Sequence, residues 1–219
     1  IVFGDWSSDV CSSDLLILDV VERATDVLGR VDAVIIPTDV GREHVDRARP
    51  FFEAGLPVLI DKPLVDQEED LRQFVRWHRE GKAFLSASAL RYAREYAACR
   101  ERLAEVGTVR LITMTMARSW ERYGIHALEG VYPFLPPGGW RDAVNSGQGG
   151  GDLVHLRHEC GVDVMVAVIP DLVGAFGCLS VYGTRGALAA RFEDTFFAFR
   201  TQLERSEEHT SELQSPNTI

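Results

Sequence analysis

Short apolar runs alternate with helical patterns through the first part of the chain, and this alternation constrains the fold more than any other feature. The helical patterns repeat apolar residues every three to four positions, and two of them end at Gly55 and Gly81. Strands that are apolar on both faces and alternate with helices are typical of a parallel sheet covered on both sides. Strands are predicted in VDAVIIP, LPVLID and KAFLSASAL, and helices in DVVERATDVLGR, between Asp39 and Gly55, and in DQEEDLRQFVRWHREG. Residues 15–88 are therefore predicted to form an α/β domain.

Residues 89–204 are predicted to form a second domain, of α+β type. A helix is predicted up to Gly107, and TVRLITMTMARSW alternates two unequal faces as a strand does. A short helix is predicted after Gly124. The segment GVDVMVAVIPDLVGAFGCLSVYGTRGALAARF then contains consecutive strands joined by turns, at Pro170-Asp171 and near Gly183. Strands that follow one another without helices indicate an open, mostly antiparallel sheet.

Both ends of the sequence differ in character from the rest. The start, FGDWSSDVCSSDL, repeats Ser-Ser-Asp without an apolar period, and the end, RSEEHTSELQSPNTI, is polar throughout. We interpret residues 1–14 and 205–219 as a non-native leader and tail derived from adapter DNA, and natural disordered tails are the alternative.

Charge and cysteine content limit the function classes. The formal net charge is −10, part of which lies in the terminal segments, and an acidic chain is a poor nucleic-acid binder. No apolar run reaches the roughly 18 residues of a membrane span, so no membrane role is predicted. Four cysteines without a CxxC pair favour a reducing compartment, and we predict a cytoplasmic protein. The predicted non-native start leaves open whether a signal peptide precedes it.

The stretch PVLIDKPLV places polar residues directly after an apolar strand. In an open parallel sheet, ligands bind outside the carboxyl ends of the strands, which is where Asp61 and Lys62 would lie. Pro63 ends the strand, and an X-Pro bond in such a tight turn can be cis. Lys62 is thus a candidate for hydrogen bonding a polar substrate or a cofactor. A strand-end lysine that only reaches solvent is the alternative.

These residues resemble a known family. The run VDAVIIPTDVGREHVDRARPFFEAGLPVLIDKPLV followed by YGIHALEGV is similar to the Gfo/Idh/MocA family of glucose-fructose oxidoreductases and inositol dehydrogenases, over about Leu16–Glu204. The resemblance implies a Rossmann domain with an open-sheet substrate domain, a bound NAD or NADP, and a homo-oligomer. It implies that Lys62 approaches the nicotinamide, although Glu-Lys-Pro is the commoner family form. The cofactor-binding residues implied are Pro37, Thr38, Asp39, His44, Asp61, Lys62 and Pro63.

The resemblance also implies hydride chemistry on a sugar, inositol or related polyol. Oxidising a secondary alcohol requires a base for the hydroxyl proton and a positive partner for the developing alkoxide. His126 resembles the catalytic histidine of the family, and Lys62 would stabilise the oxyanion. Glu129, one helical turn later, could orient the imidazole or bind a hydroxyl. Tyr123 and Trp120 are the other candidate substrate-binding residues. Without the resemblance, His126 would more often be a packed core histidine.

Two departures from the family pattern affect this interpretation. The family has an aspartate four residues before the histidine, where this chain has Arg122, so a group that orients the base is absent or supplied elsewhere. No GxGxxG turn precedes Leu15, and Gly149–Gly151 lies outside a strand-to-helix context. We interpret the chain as a fragment that lacks the first βαβ portion of the domain. A non-catalytic dinucleotide or sugar-sensing module on the same scaffold is the alternative function.

A cluster of potential metal ligands occurs in HLRHEC. His155 and His158 would share one face if the segment were helical, which makes a metal site conceivable. We predict instead a solvated loop after the glycine run and no metal.

Overall fold

The computed structural model describes residues 19–214, and their side chains up to residue 206. Within this range the chain divides into two compact units, with the divisions after Ala87 and after Leu203. Unit 1 is the part before Ser88, together with residues from Glu204 onward, and unit 2 is Ser88–Leu203. The predicted leader lies outside the described residues. The predicted tail begins inside the last helix, and its residues 215–219 also lie outside them.

Unit 1 contains a three-stranded parallel sheet with two helices. The strands, in sheet order, are β1 (Val34–Ile36), β2 (Val58–Ile60) and β3 (Phe84–Ser86). The helices are α1 (His44–Glu53) and α2 (Glu68–Arg79). Aromatic rings fill the core, where the Phe52 ring lies 4.9 Å from Trp77 and 5.8 Å from Phe84 between ring centres. The predicted parallel α/β sheet is confirmed.

Unit 2 is built on a six-stranded mixed sheet. The strands in sheet order are β5 (Trp140–Asn145), β6 (Asp152–His158), β7 (Asp163–Ile169), β4 (Val109–Ala117), β8 (Cys178–Gly183) and β9 (Ala187–Arg191). Only β4 and β7 run parallel, and the other four pairs are antiparallel. The helices are α3 (Arg94–Glu101), α4 (Leu103–Val106) and α5 (Trp120–Val131), and the first part of α6 (Thr195–Gln214) also belongs to this unit. The predicted open, mostly antiparallel sheet is confirmed.

One face of the unit 2 sheet is buried and the other is open. Along β4 the buried side chains are Ile112, Met114 and Met116, which alternate with less buried positions as the sequence predicted. The buried face packs with α5, while Leu153, Met165 and Tyr182 lie exposed on the sheet. No helix of the described chain is long and apolar enough to span a bilayer.

Three local predictions are corrected by the structure. The pattern DVVERATDVLGR forms only a 3-10 turn at Ala24–Val27, since Val27 is buried but Val20 is exposed, so the apolar spacing does not face a core. The helix expected after Gly124 begins at Trp120, because Ser119 is the extended N-cap residue. The helix expected up to Gly107 is interrupted at Arg102.

HLRHEC is not a loop. Most of it belongs to β6, and β5 precedes it as a strand that the sequence did not predict. His155 and His158 therefore lie on opposite faces of the sheet, since strand side chains alternate. His158 is buried against Trp140, and the Nε2 atom of His155 lies 2.8 Å from Asp163 Oδ1 on the other face. Among the described residues no three potential ligands are grouped around a metal position.

Candidate functional site

Asp61, Lys62 and Pro63 directly follow β2, at the carboxyl end of the parallel sheet. The Asp61 amide donates to the Ile36 carbonyl at 2.8 Å, which fixes the start of this turn against the end of β1. The Lys62–Pro63 peptide bond is cis. The Lys62 side chain is only 15% exposed, and its Nζ atom lies 3.8 Å from Asp61 Oδ2. Most of the surface of this strand-end lysine side chain is thus shielded from solvent.

Burial changes the acidity of Asp61. Loss of solvent around the carboxyl group raises the pKa of Asp61, and the positive charge of Lys62 partly opposes that rise. A carboxyl group in this state binds its proton more tightly than an exposed aspartate does. The turn after β2 therefore brings together the amine of Lys62 and the carboxyl group of Asp61, and burial opposes the ionisation of Asp61.

His44 ties the loop after β1 to the turn after β2. Its Nδ1 atom lies 2.8 Å from the Leu64 carbonyl oxygen, and its Nε2 atom lies 2.8 Å from the Thr38 carbonyl oxygen and 3.1 Å from Thr38 Oγ1. The ring is fully buried. His44 thus holds the Pro37–Asp39 loop in place through its contacts with Thr38. In this loop Pro37 and Thr38 are half-buried and Asp39 is exposed.

In unit 2, the candidate residues lie along helix α5. Trp120 packs over Gly124, where an added Cβ would lie 2.8 Å from the Trp120 ring, so the helix accommodates the indole only with glycine at this position. The Tyr123 ring lies 5.3 Å from the His126 ring between centres. Arg118 precedes the helix, and its backbone φ is positive at 73°. Its guanidinium carbon lies 5.4 Å from the centre of the Tyr123 ring. One aromatic ring, that of Tyr123, therefore lies beside the candidate histidine.

Ser88 contacts His126. Its Oγ atom lies 2.6 Å from His126 Nδ1 and also accepts a hydrogen bond from the Leu90 amide at 3.1 Å. Ser88 is buried, whereas His126 is half-buried. The sequence reasoning did not find Ser88, because it lies 38 residues from His126 in the chain. Its only local signal was a serine after an apolar strand, which is a common N-cap position.

Glu129 is held by Arg91. The Arg91 Nε and Nη2 atoms donate to its two carboxylate oxygens at 2.5 and 2.7 Å. The hydrogen bond to Glu129 raises the pKa of Arg91, against the opposing effect of burial. Ser88, and not Glu129, therefore contacts the His126 Nδ1 atom, and binding of a hydroxyl by Glu129 stays a prediction. Arg91 was also missed by the sequence reasoning.

Comparison with known proteins identifies the fold. No protein-family model and no curated protein matches the sequence. Solved structures do match. An oxidoreductase from Pseudomonas syringae is 22% identical with a TM-score of 0.65, over 75% of this chain and 53% of its own. GenD2 from gentamicin A biosynthesis, in complex with NAD, is 16% identical with a TM-score of 0.76, over 95% of this chain and 77% of its own.

A third match is myo-inositol 2-dehydrogenase from Lactobacillus plantarum, 12% identical with a TM-score of 0.73, over 95% of this chain and 79% of its own. The chain spans only 53% and 61% of the length of two of the matched structures. At these identities the comparison shows the fold. The chain has the fold of the inositol dehydrogenase and oxidoreductase structures, and the resemblance inferred from the sequence is confirmed at that level.

Proposed function

We propose that this chain is part of an oxidoreductase that transfers a hydride between NAD or NADP and a carbon that carries a hydroxyl group on a sugar, inositol or related polyol. The observation that carries the proposal is the half-buried Lys62 at the carboxyl end of β2, in a fold shared with the NAD-bound GenD2 structure. Ligands of open α/β sheets bind at this end of the strands. The half-buried His126 on α5 supports the same reaction.

The residues after β1 and β2 fit the nicotinamide end of a dinucleotide. Two neighbouring strand ends present the Pro37–Asp39 loop and the Asp61–Pro63 turn, and the buried His44 fixes both. Pro37, Thr38 and Asp39 would line the cofactor, with Asp61, Lys62 and Pro63 beside them, and His44 would act through the loop. A bound nicotinamide supplies the hydride acceptor or donor.

We assign the stabilisation of negative charge to Lys62 and the transfer of the proton to His126. The Lys62 ammonium group stabilises negative charge on the substrate oxygen as a hydroxyl becomes a carbonyl. The His126 imidazole accepts the hydroxyl proton in the same direction and returns it in the reverse direction. Because burial limits the solvent around Lys62, its charge acts more strongly than that of an exposed lysine.

The substrate-binding residues are assigned from the same helix. Tyr123 lies against His126 and offers a ring face and a hydroxyl group to a polyol. Trp120, half-buried on the first turn of α5, offers an apolar face for the C–H side of a sugar ring. Glu129 would bind a hydroxyl together with Arg91, since the pair has both donors and acceptors.

We also propose that the intact protein forms a homo-oligomer through the open face of the unit 2 sheet. Leu153, Met165 and Tyr182 are each more than two-fifths exposed on this face. Large apolar side chains exposed on an open sheet face are a feature of protein interfaces. Light scattering checks this, because Met165→Lys should lower the mass of the assembly to that of one chain.

The test of the function is a panel of polyols and sugars with NAD and NADP, measured by formation of the reduced cofactor with protein expressed from the intact reading frame. His126→Ala and Lys62→Met should each lower kcat by about 10²-fold or more on the substrate found. His155→Ala is the matched control, since this histidine lies on a sheet strand with Asp163 as its partner, and it should leave kcat unchanged.

A non-catalytic dinucleotide or sugar-sensing module is the second candidate, and Arg122 favours it, since the resemblance expects an acid there. Cofactor binding without turnover on any panel member, and an unchanged affinity in His126→Ala, would establish this second candidate instead.

A further inference from the structure

The contact between Ser88 and His126 joins two distant parts of unit 2. Ser88 precedes a 3-10 turn (Ala89–Tyr92), and its Oγ atom caps that turn by accepting from the Leu90 amide. The same oxygen lies 2.6 Å from His126 Nδ1, on helix α5. Ser88 is 1% exposed, so water does not compete for this hydroxyl group. One buried side chain thus fixes both the turn and the imidazole.

Counting hydrogens shows what Ser88 does to the imidazole. A serine hydroxyl has one hydrogen and two lone pairs, and the Leu90 amide uses one lone pair. The hydroxyl can donate its hydrogen to a bare Nδ1 atom, or rotate and accept from a protonated one. In both states Nδ1 is the nitrogen bound to Ser88.

We propose that Ser88 is the positioning residue of His126. The inference rests on the proposed function, in which His126 exchanges a proton with the substrate hydroxyl. Ser88 fixes the ring orientation through its contact with Nδ1, and it thereby supplies the orienting group that the resemblance expects from an aspartate at position 122. Unlike a carboxylate, the hydroxyl is uncharged, so it holds the ring in both protonation states without favouring the imidazolium form.

The surroundings of His126 allow this effect to be isolated. The strands that pack against α5 present apolar side chains to it, such as Met114 of β4 and Val166 of β7. Besides His126, the ionisable groups on α5 and on the elements packed against it are Arg91, Tyr92, Arg110, Glu121, Arg122, Tyr123, Glu129, Tyr132 and Asp163. Both carboxylate oxygens of Glu129 accept from Arg91, so this acid is already paired. A new acid at position 88 would thus add its charge directly at Nδ1.

The first experiment measures the NMR signals of the His126 ring and does not require catalytic turnover. ¹⁵N-labelled histidine is incorporated into the chain, and the His126 ring signals are followed against pH in the wild type, Ser88→Ala, Ser88→Thr and Ser88→Asp. Ser88→Ala should move the His126 signals toward those of a free imidazole. Ser88→Thr should preserve them, because it keeps the hydroxyl. Ser88→Asp should move the titration of His126 to higher pH, because a carboxylate stabilises the imidazolium.

Controls separate positioning from a purely structural role. The His155 signals should be unchanged in all variants. Threonine and aspartate both cap a turn as serine does, so these two variants test the inference even if Ser88→Ala fails to fold. His126 signals that are the same in the wild type and in Ser88→Ala, together with an unshifted titration in Ser88→Asp, would overturn the inference.

The second experiment measures turnover on the substrate found with the panel. Ser88→Ala should lower kcat by about 10- to 100-fold with little change in KM, since a misoriented base affects the chemical step. Ser88→Asp should move the pH dependence of kcat in the same direction as the His126 titration. If the wild type turns over no substrate, the proposed function fails while the spectra still test Ser88. If turnover is found but Ser88→Ala leaves kcat and its pH dependence unchanged, the positioning role fails and the function stands.

Discussion

The two units hold their candidate residues in different ways. In unit 1, the strands are three residues long and the candidate residues follow them on loops, which the single buried imidazole of His44 ties together. In unit 2, the strands are five to nine residues long and the candidates share helix α5, where Ser88 and Arg91 fix His126 and Glu129. Unit 1 thus positions its candidate residues mainly through the backbone, whereas unit 2 positions them through pairs of side chains.

The largest expected effect tests whether the two cores are separate. Phe52→Ala removes a ring that is 1% exposed in the core of unit 1, and should lower the free energy of unfolding by about 3–5 kcal/mol. Hydrogen exchange should show this loss in the β1 and β2 amides. The exposed Phe199 is the matched control, and Phe199→Ala should change stability by less than about 0.5 kcal/mol. An equal loss of protection in β4 and β7 would contradict separate cores, because it would mean that the two units unfold together.

The next effect concerns the ion pair of unit 2. Arg91→Ala leaves the buried Glu129 carboxylate without its two donors, and should cost about 2–3 kcal/mol of unfolding free energy. This is less than for a fully buried pair, since the Arg91 side chain is 38% exposed. The double variant Arg91→Met/Glu129→Met should recover most of the loss in urea unfolding. A double variant that is as unstable as Arg91→Ala would show that packing, and not the unpaired charge, causes the loss.

His44 provides the corresponding test in unit 1. His44→Leu removes the contacts of the buried ring with the Thr38 and Leu64 carbonyl oxygens and should cost about 1–3 kcal/mol, because a carbonyl oxygen loses its N–H donor. The loss should appear in amide exchange after β1 and β2. His78→Ala, at an exposed position of α2, should have no measurable effect. If His44→Leu also has none, the loops are held by the backbone alone.

The smallest effect is a pH dependence at Asp61. Because burial raises the pKa of its carboxyl group, the stability of the folded state is highest when Asp61 is protonated and falls as pH rises through the folded pKa. Asp61→Asn cannot ionise, so it should be more stable than the wild type at pH 7. The two should converge as the pH falls below 3.8, the ordinary pKa of an aspartate. Urea unfolding across this range measures the difference, and an advantage that grows on acidification would contradict the assignment.

The parts of the fold with local signals were predictable from the sequence. The strands of unit 1 and the position of Asp61, Lys62 and Pro63 at a strand end depend on short runs of apolar residues and on proline. The alternation along β4 likewise predicted a strand with two unequal faces. The same local reasoning was wrong for HLRHEC, which it predicted to be a solvated loop because the segment follows a run of glycines. The strand became evident only from its pairing with β5 and β7.

The partners within the candidate site were not predictable. Ser88 and Arg91 each lie 38 residues before the side chain that they bind, and His44 contacts a carbonyl 20 residues away. No periodicity links such positions, since the contacts of Ser88 and Arg91 exist only after the Ala89–Tyr92 turn packs on α5. The departure at position 122 was visible in the sequence, whereas the contact of Ser88 with His126 required the structure.

The parallel pairing of β4 with β7 has a consequence for the order in which the protein folds. β5, β6 and β7 pair with their neighbours in sequence, as do β8 and β9, whereas β4 pairs with β7 only after α5 and two strands have intervened. Closing such a long loop is entropically unfavourable, so we expect β4 to join the sheet late. Helix α5 packs on β4 and β7, and it would therefore reach its final position in that same late step. Refolding followed by pulsed hydrogen exchange would show this as protection of β4 after β6. The histidine would then acquire its partner only when the whole sheet is complete.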